Sequence, residues 1–93
     1  MKRDIIQTSK FKKDLKLAIK RGKNTDLLDE IVDLLASGKP LPPKNKDHDL
    51  KGNYKGFREC HITPDWLLVY KVTDDKLVIV LTRTGSHADL FNM

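Results

Sequence analysis

The chain has 93 residues, 33% of them charged, and carries a net charge of +5 at pH 7. This length fits one small domain, residues 1–93, and leaves no room for a second core. No segment approaches the roughly 20 apolar residues of a membrane helix, and the first residues lack the apolar run of a signal peptide. We therefore expect a cytoplasmic protein without a membrane partner.

The positive charge is concentrated in the first half of the chain. Residues 1–46 contain twelve Lys and Arg against six Asp and Glu, whereas residues 47–93 contain six against seven. Such asymmetry predicts a polyanionic partner, either nucleic acid or the ribosome, or an acidic protein. A lysine-rich surface that serves only solubility is the alternative. The one cysteine, Cys60, cannot form an intramolecular disulfide, which fits a reducing compartment.

The first half of the chain predicts one strand and two helices. Arg3–Thr8 is β-branched and predicts a short strand, after which Ser9 is expected to cap a helix that Gly22 ends. The apolar residues of this helix recur with helical spacing: Phe11, Leu15, Ala18 and Ile19. A second amphipathic helix is predicted from a cap at Asn24 or Thr25 up to Gly38. The short link between the helices favours an antiparallel hairpin.

The second half predicts a loop followed by strands. Lys39–Asn53 contains three prolines and many charges, and it is expected to be loop. Three strands are then expected to form an antiparallel meander: Phe57–Ile62, Trp66–Val72 and Leu77–Leu81. The middle one is apolar on both faces and should be the interior strand. With a closing helical turn at Ser86–Leu90, the pattern β-α-α-β-β-β predicts an α+β fold in which the helix hairpin packs on a small antiparallel sheet.

Antiparallel pairing brings polar residues from distant segments together. The turn at Thr63-Pro64 places His61 and Asp65 at one end of the meander. The third strand returns to that end, and it should bring Arg83 and His87 there as well. His48, on the preceding loop, is less constrained. All three histidines of the chain therefore belong to the predicted cluster.

The predicted cluster has the groups that RNA cleavage requires. Imidazoles exchange protons near neutral pH, and arginine binds phosphate oxygens. Cleavage needs a base for the 2′-OH, an acid for the departing 5′ oxygen and positive charge on the phosphorane. Trp66 and Phe91 are candidates for stacking on splayed bases. Structural alternatives remain open: a core Trp66, a turn-forming Asp65, a salt-bridging Arg83, or a zinc site built from the histidines and Asp65.

Three segments resemble one known protein family. They are Asp47–Gly52, Gly56–Tyr70 and Arg83–Phe91, which contain the patterns Asp-His, His-Ile-x-Pro-Asp-Trp and Thr-Gly-Ser-His. These segments and the order of the predicted elements resemble the RelE/ParE superfamily of bacterial toxin–antitoxin toxins, and within it the YafQ branch. The resemblance extends over the whole chain. It implies a RelE-like fold and an endoribonuclease that cuts mRNA in the ribosomal decoding site without a metal or another cofactor.

The resemblance also implies functional residues. The family's active-site positions are matched by His48, His61, Asp65, Arg83, His87 and Phe91, with Trp66 beside them. On this basis His48 is expected to be the general base and His87 the general acid, assisted by Asp65. Arg83 and His61 are expected to bind the scissile phosphate. Lysines of the first helix and of the loop are expected to face ribosomal RNA: Lys12, Lys13, Lys16, Lys51 and Lys55.

The resemblance implies partners of three kinds. These are a cognate antitoxin protein, mRNA and ribosomal RNA on the 70S ribosome, and operator DNA contacted indirectly through the toxin–antitoxin complex. The main alternative is a ParE-like toxin that binds and inhibits DNA gyrase without cutting nucleic acid. A gyrase inhibitor has no need of a histidine cluster. A third alternative is an inert chain that only binds an antitoxin.

Overall fold

The structure is a computed structural model that describes residues 2–91. Its strands and helices are, in chain order, β1 (Asp4–Gln7), α1 (Ser9–Lys20), α2 (Thr25–Ala36), β2 (His48–Asp49), β3 (Arg58–Thr63), β4 (Trp66–Val72), β5 (Val78–Gly85) and α3 (His87–Phe91). Two single turns of 3₁₀ helix, Pro43–Asn45 and Gly52–Tyr54, flank β2. None of the helices within residues 2–91 is long and apolar enough to cross a bilayer.

The five strands form one sheet in the order β1-β5-β4-β3-β2. Strands β3, β4 and β5 make the predicted antiparallel meander, with β4 inside it. The predicted α+β fold is therefore confirmed. The sheet is mixed rather than purely antiparallel, because β1 pairs with β5 in the parallel direction. Parallel pairing requires a long crossover, and the chain between β1 and β5 includes the whole helix hairpin and the meander.

One face of the sheet packs against α1 and α2. Alternate residues of β4 point to this face, where Trp66, Leu68 and Tyr70 are each at most 1% exposed. The helices contribute their apolar sides: Phe11, Ala18, Leu28, Ile31 and Leu35. Cys60 lies in the same cluster with no exposed surface, and burial raises the pKa of its thiol to about 12. Its thiol therefore stays protonated at neutral pH and is a packing group.

Helix α3 packs on the opposite face of the sheet. Leu67 and Val69 of β4 are buried there beneath Leu90 of α3. Partly buried apolar side chains surround this second cluster: Leu50, Phe57 and Phe91. A strand that is apolar on both faces is thus explained by two separate cores, a large one under the helix hairpin and a small one under α3.

Three local predictions differ from the structure. Thr8, not Ser9, caps α1, since its hydroxyl accepts a hydrogen bond from the Phe11 amide at 3.0 Å. Ile19 is 55% exposed, because the buried side of α1 is centred on Phe11 and Ala18. The predicted loop contains β2, whose two residues pair with β3.

Strand β5 extends beyond its apolar run, Leu77–Leu81, and past Arg83, which the predicted meander places at the end of this strand. It runs to Gly85, four residues past the apolar run, with a register shift where Val69 and Tyr70 of β4 meet it. The residues after Leu81 are polar, so apolar content alone could not reveal that they continue the strand. This extension carries Arg83 into the sheet.

Candidate active site

The sheet register aligns functional side chains in rows on the face covered by α3. His48 pairs with Glu59, Glu59 with Val69, and Val69 with Arg83, so these four residues form one row across β2, β3, β4 and β5. Directly paired residues point to the same face of a sheet. His61 lies two residues beyond Glu59 on β3 and therefore shares this face. The register thus brings two of the predicted histidines onto one surface.

Helix α3 adds the third histidine. The rings of His61 and His87 have centroids 6.0 Å apart. The carboxylate of Glu59 lies near both His48 and His61. Its Oε1 is 3.6 Å from Nε2 of His48 and 3.9 Å from Nε2 of His61. We call these four residues, His48, Glu59, His61 and His87, the histidine face. Its members range from the exposed His48 and His87 to Glu59, whose side chain is only 4% exposed.

An aromatic group borders the histidine face. Phe91 lies 5.9 Å from His87 and 5.6 Å from Tyr54, measured between ring centroids. Phe57 packs edge-on against Tyr54 at 6.4 Å. Phe91 is partly exposed. Tyr54 was not predicted as a site residue.

Arg83 belongs to a second part of the site. Its Nε donates to Asp14 Oδ2 at 2.7 Å and its Nη2 to Asp14 Oδ1 at 3.2 Å. This bidentate pairing with α1 raises the pKa of Arg83. The same carboxylate accepts a hydrogen bond from the amide of the buried Thr84 at 3.2 Å and so joins α1 to the end of β5. The salt-bridge alternative for Arg83 is therefore present in the structure, and it fixes where the guanidinium lies.

A cleft of about 370 Å³ lies beside this ion pair. It is lined by residues of α1, the β3–β4 turn and the start of α3, among them Asp14, Asp65, Trp66, Arg83 and Asp89. We call it the arginine cleft. The predicted site is thus divided: the histidines and Phe91 lie on the histidine face, while Asp65, Trp66 and Arg83 line the cleft. The start of α3 separates the two, since Ser86 and Asp89 line the cleft and His87 faces His61.

Trp66 is a core residue in this structure. Its side chain is 1% exposed and packs in the cluster beneath the helix hairpin. Its indole nitrogen has no hydrogen-bond partner within residues 2–91. Neither face of the ring is open to a base, so the geometry does not favour the stacking role expected from the sequence. Asp65 is exposed in the turn before β4, where it is accessible to a substrate.

Two contacts anchor α3 at the border of the cleft. Asp89 accepts hydrogen bonds from Arg21 at 2.7 Å and from the Ser86 amide at 3.0 Å. The bond from Arg21 is the main reason that the pKa of Asp89 is lowered. Gly85 precedes the helix with φ of +157°, and a Cβ at this position would lie 3.0 Å from the Asp89 side chain. This close approach favours glycine in the Thr-Gly-Ser-His pattern.

A polar network holds β2 in place behind the histidine face. Asp47 accepts hydrogen bonds from Arg58 at 3.0 and 3.3 Å and from the Tyr70 hydroxyl. Burial and this carboxylate raise the pKa of Tyr70, while the hydrogen bond to Asp47 raises that of Arg58. Because the folded pKa of Tyr70 exceeds the unfolded value, its contribution to stability is present at neutral pH and is lost as the pH rises through the raised value.

Replacing Asp47 with alanine should lower the free energy of unfolding by about 2 kcal/mol, because the buried Tyr70 hydroxyl and the Arg58 guanidinium lose their shared acceptor. Urea denaturation followed by circular dichroism measures this change. Asp49→Ala is the matched control: this carboxylate also pairs with Arg58 but is 78% exposed, and its loss should change stability by less than about 1 kcal/mol. Equal losses in the two variants would contradict the role assigned to Asp47.

Known proteins are similar to this chain in both sequence and fold. The sequence model of the family described as "Bacterial toxin of type II toxin-antitoxin system, YafQ" matches residues 3–92. The mRNA interferase toxin YafQ of Escherichia coli K12 is 45% identical over 92 residues, which cover 98% of each chain. The chain belongs to the YafQ family.

Solved structures agree with this assignment. The YafQ chain of the E. coli DinJ–YafQ toxin–antitoxin complex superposes with a TM-score of 0.88 at 44% identity, covering 98% of this chain and 99% of that one. A metal-bound toxin from Helicobacter pylori superposes with a TM-score of 0.90 at 48% identity, covering 98% and 100%. The predicted YafQ resemblance is confirmed. The ParE-like alternative is not favoured, because the family model that matches residues 3–92 and the E. coli relative matched over 98% of its length are both YafQ.

The YafQ assignment does not by itself settle the metal question raised by the sequence. Within residues 2–91, no three His, Cys, Asp or Glu side chains are grouped as a metal site requires. The nearest such arrangement is on the histidine face, where one Glu59 oxygen lies within 4 Å of two imidazoles.

The predicted RNA-facing lysines of this YafQ family member are all exposed: Lys12, Lys13, Lys16, Lys51 and Lys55. The first three lie on α1, whose Asp14 and Arg21 contact β5 and α3. The last two flank the 3₁₀ turn that carries Tyr54. Both groups are therefore attached to elements that border the site.

Sequence reasoning missed three residues of the site: Asp14, Tyr54 and Glu59. Asp14 and Arg83 are 69 residues apart, and the sequence offered no sign that they pair. Glu59 was passed over because a carboxylate on an alternating strand usually faces solvent. The one available signal was its position two residues before His61, which places both side chains on one face of β3.

Proposed function

We propose that this YafQ family member is the toxin of a type II toxin–antitoxin system and an endoribonuclease that cleaves mRNA on the ribosome. The observation that carries the proposal is the histidine face, which brings all three histidines of the chain to one surface, while Arg83 lines the neighbouring arginine cleft on the other side of the start of α3. The E. coli relative bears the name mRNA interferase, which supports this activity. Acid–base groups beside a phosphate-binding arginine are what RNA cleavage by 2′-OH attack requires.

His61 and His87 are suited to transfer the protons. Their rings lie 6.0 Å apart between centroids, and hydrogen bonds to charged oxygens are about 2.8 Å long. One phosphate group bound beside the pair can therefore contact both imidazoles. In this arrangement one ring takes the 2′-OH proton while the other protonates the departing 5′ oxygen. His87 is exposed at the start of α3 and is the proposed acid, in agreement with the role expected from the sequence.

The position of His48 favours a role other than general base. Its Nδ1 lies 2.7 Å from the backbone carbonyl of Lys46. A carbonyl only accepts hydrogen bonds, so Nδ1 must carry a proton, and the other ring nitrogen, Nε2, is turned to the buried Glu59 carboxylate at 3.6 Å. We therefore assign the base to His61, although the sequence suggested His48.

Arg83 is proposed to stabilise the charge that develops on the phosphate. Its bonds to Asp14 use Nε and Nη2 and leave Nη1 to donate to a phosphate oxygen. Because Asp14 already fixes the guanidinium, little side-chain entropy is lost when the substrate binds. Asp65, exposed at the other side of the arginine cleft, is proposed to assist proton transfer by His87. Phe91 is proposed to stack on a base of the message.

The partners proposed for this chain follow from its charge and its family. The exposed lysines of α1, together with Lys51 and Lys55, are proposed to bind ribosomal RNA through its phosphates. A DinJ-like antitoxin is proposed as the neutralising partner, since the E. coli relative forms a complex with DinJ. Operator DNA would be contacted through the antitoxin. The proposed site of action is the cytoplasm, on 70S ribosomes.

Mapping 5′ ends of transcripts after brief expression tests the proposal. New 5′ ends should appear within translated regions, in register with codons, and disappear when initiation is blocked. Growth arrest with intact transcripts would contradict an RNase activity. Cleavage of untranslated RNA would contradict the requirement for ribosomes. Purified ribosomes with a chelator selective for transition metals provide a further comparison, in which unchanged cleavage is expected from acid–base catalysis by side chains.

A further inference from the structure

Glu59 is the least expected residue of the histidine face. Its carboxylate is almost completely buried, with 4% of the side chain exposed, beside the apolar Leu67 and Val69. Burying an unpaired carboxylate is unfavourable by several kcal/mol, so a positive or proton-donating partner is required. Within residues 2–91, the basic side chains within 4 Å of this carboxylate are the imidazoles of His48 and His61.

The hydrogen bond made by Nδ1 of His48 determines whether its contact with Glu59 is attractive or repulsive. Since Nδ1 donates to the Lys46 carbonyl, a neutral His48 would present the lone pair of Nε2 to the carboxylate. Two lone pairs 3.6 Å apart repel each other. The contact becomes favourable only when one proton lies between Nε2 of His48 and Oε1 of Glu59.

His61 faces the same carboxylate with its Nε2, at 3.9 Å. A proton on this nitrogen is favoured by Glu59, which leaves Nδ1 of His61 as the nitrogen that can accept a proton. Its backbone is held from the other side, since the buried Asn45 side chain donates to the His61 carbonyl at 2.7 Å. An imidazole whose far nitrogen faces a carboxylate is the arrangement that orients a general base in hydrolases.

We propose that Glu59 is a positioning residue of the catalytic site, which holds a proton on Nε2 of His48 and orients His61 so that its Nδ1 faces the substrate. The inference rests on the proposed RNase function for its kinetic consequence, but the placement of the protons is independent of that function. The row that contains Glu59 continues with the apolar Val69 of β4 and, beyond it, with Arg83 of β5, whose guanidinium is bound to Asp14. From α3, His87 contacts His61.

The test compares the wild-type toxin with Glu59→Gln, which keeps the shape of the side chain and removes its charge. The first measurement is the nitrogen NMR spectrum of the imidazoles in the free toxin at pH 7. In the wild type, Nε2 of His48 should give the signal of a protonated nitrogen. In the variant, the glutamine amide can donate to Nε2, which should then give the signal of an unprotonated nitrogen while Nδ1 stays protonated. Identical His48 signals in the two proteins would overturn the proposal.

The second measurement is mRNA cleavage on purified ribosomes as a function of pH. Glu59→Gln should lower the maximal rate by at least about tenfold with the apparent ribosome affinity unchanged, and it should alter the pH profile, because the base loses its orienting partner. Glu59→Asp, which keeps the charge, should recover part of the rate. Asp49→Asn is the control, since it removes an exposed carboxylate from β2. A wild-type rate and pH profile in Glu59→Gln would refute the positioning role.

The two measurements separate failure of this inference from failure of the proposed function. If the wild type does not cleave mRNA, the proposed function fails, and the NMR comparison still decides the proton placement. If Glu59→Gln does not fold, the wild-type spectrum decides, because an unprotonated Nε2 in His48 contradicts the proposal and a protonated one supports it. If cleavage is intact and the spectra agree, the inference fails and the proposed function stands.

Discussion

Replacing His87 with alanine should abolish mRNA cleavage by this toxin while its fold remains intact. Loss of a general acid lowers the rate by about 10²- to 10⁴-fold. Alanine is a good helix former, and His87 is exposed at the first position of α3, so the helix should persist. The rate is measured by primer extension on a defined message bound to purified ribosomes. Growth on induction gives the matching result in cells, where the variant should no longer cause arrest.

The His87 result requires proof that the variant still assembles. Its thermal unfolding should match the wild type, and it should still bind the antitoxin. Ala88→Ser is the neighbouring control on the exposed side of α3, and its cleavage rate should be unchanged. Retained cleavage by folded His87→Ala would remove His87 from the catalytic pair, and would require another group to protonate the 5′ oxygen.

Reversing the charge of three lysines on α1 should weaken ribosome binding. The triple variant Lys12→Glu, Lys13→Glu, Lys16→Glu converts an exposed cationic surface into an anionic one. Each exposed charge near a phosphate contributes about 1 kcal/mol, so binding should fall by about 100-fold at low salt. The salt dependence of binding should also become shallower, because fewer counterions are released. Sedimentation of labelled toxin with 70S ribosomes over a series of salt concentrations measures both quantities.

A second triple variant separates position from total charge. Lys2, Lys39 and Lys76 are exposed near the opposite end of the sheet, where Arg3 bonds to the carbonyls of Leu35 and Lys76. Changing these three to glutamate produces the same net charge as the α1 variant. Ribosome binding should then fall much less. Equal losses in the two variants would mean that overall charge, rather than the α1 surface, governs binding.

The framework of the fold could be predicted because its signals are local. Apolar spacing located both helices, and the two-faced apolar run at Trp66–Val72 located the interior strand. Antiparallel order then placed His61 near His87, and the structure brings their rings together. Topology was sufficient here because neighbouring strands with short connections have few alternative arrangements.

The internal division of the site could not be predicted for the opposite reason. Whether Arg83 points to the histidines or to Asp14 depends on a contact between residues 69 positions apart. Glu59 lies on the face of the sheet against which α3 packs, and α3 follows it by almost thirty residues. The alternation of residues along β3 alone would predict that Glu59 faces solvent. Burial of Trp66 likewise depends on helices far from it in sequence.

The parallel pairing of β1 with β5 limits how much of the protein can fold while the chain is still being synthesised. β1 cannot join the sheet until β5 exists, and β5 and α3 supply Arg83 and His87. A growing chain therefore contains helices and part of the meander long before it contains a catalytic site, and contacts distant in sequence form late in folding. On the proposed function, the ribosome that makes this toxin should finish the chain before the product can cut the message from which it was translated.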